Sequence, residues 1–228
     1  LETLDMRLVS LLLATCFAAS AILAGTADAG PRDSLKVKPD TFIDTSGVVC
    51  EAGPVDSGAA SSQWVNKSGK TSTPDAFGEP ADFGLVLAKN VDTPICAAAL
   101  ATLNGPEGET VSPATVFGYS FRADGHCGAG APRFNVTVTD GTDQATYAVG
   151  CANTATSTAA VNADWTAKTW TPDTFFFLGG APGVPLVGSG IVSVVMVFDE
   201  GTDVGPGEAT LDDIRFNNLV AGGPATVK

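Results

Sequence analysis

The residues of this chain that could do chemistry are carboxylates rather than nucleophiles. The only histidine, His126, lies in the run Gly125-His126-Cys127-Gly128-Ala129-Gly130. A serine or cysteine triad would have to be built on that one imidazole, and the adjacent cysteine is expected to be oxidised. The same glycines fail as a phosphate cradle, because no strand-to-helix context follows them. Carboxylates are plentiful: Asp199, Glu200, Asp203 and Glu208 crowd one glycine-rich loop, and Asp212 and Asp213 follow it. Two such groups across a cleft would equip a glycosidase, but neighbours on a strand point to opposite faces. Calcium suits the same residues better, since it takes about six to eight oxygens from carboxylates and backbone carbonyls.

Counting back by two from Phe216 and Ile214 places Asp212 on the apolar face of its strand. A carboxylate there must be metal-bound, ion-paired or hydrogen-bonded. A bulge that turns Asp212 outward, or hydrogen bonds to a nearby backbone turn, would serve as well as calcium.

Sugar binding would draw on aromatic faces, which stack on pyranose C–H surfaces while polar neighbours pair with hydroxyls. The candidates are Trp64, Trp165 and Trp170. Trp165 and Trp170 stand five apart, so a regular strand turns them to opposite faces, one to the core and the other free. Trp64 sits in a polar, loop-rich stretch. The competing reading makes all three packing residues.

The elements that must position these groups read as strands. Residues 191–198 are apolar at nearly every position, an acidic loop follows, and 209–216 resume order, so 191–216 is expected to form a central hairpin. Strict alternation marks 115–122, with Phe117, Tyr119 and Phe121 on one face, and 133–139, with Phe134, Val136 and Val138. Asp140-Gly141 opens a turn into 144–150. Further strands are expected near 41–49, at Trp64-Val65, and at 83–87, 163–170 and 174–178. The alanine-rich 95–103 could make a short helix but is assigned as a strand from its neighbours. About ten strands with frequent turns predict an all-β, two-sheet antiparallel sandwich.

Composition narrows the setting. A formal charge of −13 and no basic patch exclude nucleic acid as a partner by plain repulsion. Arg7, the apolar run 8–24 and Ala27-Asp28-Ala29 have the layout of a secretion signal with cleavage after Ala29; residues 1–5 are read as lying upstream of its start. That leaves 30–228 as one β-sandwich domain, secreted and extracellular, with no membrane insertion once the signal is cleaved. Four cysteines remain beyond it. Cys127 is expected to pair with Cys151 across a hairpin, and Cys50 with Cys96 by elimination. Wide spacings and a single histidine argue against zinc.

The run Leu211-Asp212-Asp213-Ile214-Arg215-Phe216, after a glycine-rich turn, resembles the closing strand of jelly-roll carbohydrate-binding modules. The resemblance implies a jelly-roll fold, binding of a polysaccharide or other glycan without catalysis, and a structural calcium at Asp212. An acidic residue near the N-terminus would share that ion, here Asp44, with Asp199 a further candidate ligand. The segment Gly125 to Phe134 is similar to segments of uncharacterised secreted bacterial proteins. The alternatives are a surface or matrix protein that binds other proteins, and a carboxylate-dependent glycoside hydrolase.

Overall fold

The computed structural model describes residues 34–46, 54–70, 83–91, 97–128, 130–199 and 205–224. The expected signal segment, the Cys50–Cys96 pairing, Glu200 and Asp203 lie outside the described residues.

Thirteen strands are present among them: β1 (Lys36–Ile43), β2 (Ala60–Asn66), β3 (Phe83–Lys89), β4 (Ala97–Asn104), β5 (Phe117–Arg122), β6 (Arg133–Thr139), β7 (Gln144–Gly150), β8 (Ser157–Ala160), β9 (Trp165–Trp170), β10 (Phe176–Gly180), β11 (Gly190–Phe198), β12 (Gly207–Phe216) and β13 (Leu219–Ala221). One sheet runs in the order β1-β4-β11-β6-β7-β10 and the other β2-β3-β12-β5-β9-β8, with β13 paired to β12. Every strand pairing is antiparallel. The chain crosses repeatedly between the sheets, often after two strands, which gives a two-sheet antiparallel sandwich of jelly-roll type.

The segment 191–216 is not a hairpin. β11 pairs with β4 and β6 in the first sheet, and β12 with β3 and β5 in the second. Both strands sit inside their sheets, so each needs two partners and neither pairs with the other. The first strand begins earlier than expected, at Lys36 rather than near Thr41, and β4 confirms the strand reading of the alanine-rich run.

The inward residues of the two sheets fill one core. Phe117, Tyr119, Phe134 and Trp170 meet at its centre, with ring centroids 5.5 Å apart for Phe117 and Phe134 and 5.0 Å for Tyr119 and Trp170. Leu85, Leu87, Leu211, Val136, Val194 and Met196 pack around them without exposed surface. Burying each such side chain contributes about 1.5–3 kcal/mol relative to leaving it in water. Beside this core the disulfide Cys127–Cys151 closes a 24-residue separation, as the hairpin placement predicts. The Tyr119 hydroxyl donates to the Pro132 carbonyl at 2.8 Å and lies 3.1 Å from Cys151 Sγ.

Candidate functional site

Trp165 and Trp170 do face opposite sides of β9, yet neither is free. Trp170 is fully buried between the sheets, while Trp165 is 4% exposed on the outer face of the second sheet. Trp64 is half-buried: it packs against the core and donates its indole N–H to the Val37 carbonyl at 3.0 Å. Trp165 borders a cavity. A cleft of about 450 Å³ is lined by Lys67, Ser68, Gly69, Arg122, Ala123, Asp124, Asn162, Asp164 and Trp165.

Three short turns build that cleft. The first follows β2, where Lys67 takes a left-handed φ of 65° and the chain folds back over the sheet. Gly84 permits this, because a Cβ there would stand 2.7 Å from the Ser68 carbonyl oxygen. The second runs from Arg122 to Gly125 and closes with the Gly125 N–H donating to the Arg122 carbonyl at 3.0 Å. The third joins β8 to β9, where the Asn162 side chain accepts the Asp164 N–H at 2.8 Å. The second and third are tied together, since the Ala123 N–H donates to the Asp164 carbonyl at 2.7 Å.

Charges of both signs line the cleft and partly offset one another. Arg122 Nε donates to Asp124 Oδ1 at 2.6 Å, and Arg122 Nη2 stands 3.9 Å from Glu208. Arg122 and Trp165 are cross-strand partners, so both side chains stand on the same outer face. The arrangement offers planar hydrogen-bonding groups around an apolar floor.

The acidic residues expected to hold calcium are engaged in separate interactions. Asp44, at the end of β1, accepts the Ser46 N–H at 3.2 Å and the Ser46 hydroxyl at 2.6 Å. Asp199 makes a buried bidentate pair with Arg133 at 2.6 and 2.7 Å, and its carbonyl accepts the Lys89 ammonium at 3.1 Å. Asp212 accepts the Lys70 N–H at 2.8 Å and the Asp213 N–H at 2.6 Å. Among the described residues, no group of three or more His, Cys, Asp or Glu could hold a metal ion. With backbone amides on Asp212 and the Lys70 ammonium on Asp213, the described residues do not fit the calcium that the resemblance implies.

Parity fails at Asp212 for a specific reason. The register of β12 against β5 shifts between Asp212 and Arg215, and Asp213 has a φ of 45°. This bulge places Ala209, Leu211, Ile214 and Phe216 all in the core, and sets Asp212 opposite Ser120 on the outer face. Asp212 is nonetheless 6% exposed, with Lys70 bonded to it and Gly222 close beside its other oxygen.

No family model matches the sequence, and no curated protein matches it. Among solved structures it is similar to the family 11 carbohydrate-binding module of the cellulosomal cellulase Lic26A-Cel5E of Clostridium thermocellum. The identity is 12% and the TM-score 0.42, over 86% of this chain and 91% of that one. A second structure, of a family 11 module from the same organism in complex with a β-1,3-1,4-mixed-linked tetrasaccharide, gives 13% identity and a TM-score of 0.41 over 88% and 95%. The likeness is one of fold and says nothing about which ligand this chain takes.

The His126 ring lies 3.2 Å from the Gly128 carbonyl and edge-on to Phe198, and the neighbouring Cys127 is oxidised. The polar residues of the cleft were missed in the sequence because they sit in turns. One signal was there: Arg122-Ala123-Asp124 and Asn162-Ala163-Asp164 both place an aspartate beside a strand end that carries an aromatic.

Proposed function

We propose that this chain is an exported, non-catalytic module that binds neutral polysaccharide in the cleft floored by Trp165. The observation that carries this reading is the lining itself, with Arg122, Asp124, Asn162 and Asp164 around one indole. Vicinal sugar hydroxyls each donate and accept, and planar guanidinium, carboxylate and amide groups meet them two at a time. Arg122 is already paired with Asp124, so the site favours no net ionic charge in its ligand. The protein's overall negative charge disfavours anionic glycans further. Because Trp165 is almost wholly covered, the indole supports the floor and the polar rim supplies selectivity.

Export fits the apolar run 8–24 and the Cys127–Cys151 bridge, which persists in oxidising compartments. Among the described residues, no helix is long and apolar enough to cross a membrane.

One observation favours a second reading, glycoside hydrolysis: Asp124 and Asp164 line the same cleft. Native gel electrophoresis through neutral polysaccharides, a mixed-linkage β-glucan among them, separates the two. Retardation without release of reducing sugar supports the binding module. Reducing sugar released by the wild type and lost in Asp164→Asn supports the hydrolase, and neither retardation nor released sugar on any glycan refutes both.

A further inference from the structure

We infer that Lys70 is the built-in cation of the Asp212–Asp213 pair, and that this lysine, in place of a calcium ion, fixes one wall of the cleft. Asp212 and Asp213 stand together at the bulge of β12, where like charges repel unless a cation or several N–H donors face them. Lys70 supplies both kinds of donor from 142 and 143 residues away: its N–H bonds Asp212 Oδ2 at 2.8 Å, and its ammonium pairs with Asp213. Ser120, fully buried on the neighbouring strand, adds a hydroxyl to the same Asp213 oxygen at 2.8 Å. The side chains of Lys70 and Asp213 are 12% and 25% exposed, so the pair is largely sheltered from solvent.

Backbone geometry serves this contact. Asp213 adopts a left-handed φ of 45°, a conformation that non-glycine residues hold only when their surroundings fix it. The bulge sends the two carboxylates to one partner segment, whereas regular alternation would send them to opposite faces of the sheet. That segment runs directly into the cleft: Lys67, Ser68 and Gly69 line it, and Lys70 is the next residue. On β5, Ser120 at the latch and Arg122 at the cleft are two residues apart on the same outer face. Lys70 is therefore a positioning residue. Its bearing on ligand binding rests on the cleft reading above, whereas the latch itself does not.

Amide hydrogen exchange of the full chain, read at residues 67–70 with calcium and with EGTA, tests the latch without any ligand. Exchange in the wild type is expected to be the same under both conditions, about tenfold or more faster in Lys70→Met, and close to wild type in Lys70→Arg. Faster exchange on adding EGTA to the wild type would give the role to calcium and overturn the inference. So would a Lys70→Met variant that exchanges like the wild type. If Lys70→Met does not fold, Asp213→Asn and the EGTA comparison on the wild type still decide the matter. Weaker polysaccharide retardation of Lys70→Met ties the latch to binding, and unchanged retardation despite a loosened wall breaks that tie. A wild type that is not retarded at all counts against the saccharide reading alone.

Discussion

Trp170 and Trp165 stand at the two ends of one strand and face opposite sides of one sheet, yet their surroundings share almost nothing. Trp170 lies among Tyr119 and Phe134 with no exposed surface, and its indole N–H has no hydrogen-bond partner among the described residues. Trp165 is nearly as buried, but it lines a cleft together with Lys67, Arg122, Asn162 and Asp164. Burial alone therefore does not separate a core residue from a site residue. The interior side selects for volume even with an indole N–H left unpaired, and the outer side surrounds the same ring with charge-bearing turns.

The contrast sets an order of expected effects. Trp170→Ala should cost about 3–5 kcal/mol of stability, measured by denaturant unfolding, because the cavity lies at the convergence of both sheets. Trp170→Phe should cost much less, since it also removes a buried N–H that lacks an acceptor. A loss in Trp170→Phe as large as that in Trp170→Ala would contradict this account.

Replacing Cys127 and Cys151 by alanine should cost about 3 kcal/mol through the lost loop closure. A lower unfolding midpoint with a steeper slope is the expected signature, because the unfolded chain without the bridge is less compact.

Tyr119 gives the core a pH signature. Burial holds its phenol well above the ordinary value, so the folded state keeps a proton that the unfolded chain releases. The resulting stability is complete below the unfolded pKa of about 10 and is lost as pH rises beyond it, at up to about 1.4 kcal/mol per pH unit. Tyr119→Phe should remove that slope, and a slope that survives would assign it to another group.

The smallest stability effects belong to the cleft. Arg122→Ala and Asp164→Asn should change stability by no more than about 0.5–1 kcal/mol, because the Arg122–Asp124 pair is exposed on the Asp124 side. The same substitutions should remove most of the polysaccharide retardation.

Much of the fold was legible because alternation and turn chemistry are local. The bounds of β6 and β7, and the Cys127–Cys151 bridge beside them, follow from period-two runs joined by Asp140-Gly141. The partnering of β11 and β12 was not legible: an apolar run, a loop and a second strand look alike whether the chain turns back or crosses to the other sheet. The direction of Asp212 was hidden for a different reason. Counting by two assumes a regular strand, and the extra residue at Asp213 shifts the count with no composition signal to announce it. Lys70 belongs to a polar loop region, and its meeting with Asp213 joins positions 143 apart that no local pattern connects.

Native gel electrophoresis of wild type, Arg122→Ala and Asp164→Asn through the same neutral polysaccharides tests the central claim, with unfolding curves alongside to show that all three are folded. A cleft that binds saccharide predicts retardation of the wild type on at least one polysaccharide and its loss in both variants at near-unchanged stability. A wild type that migrates freely on every polysaccharide, or variants retarded as strongly as the wild type, would contradict it.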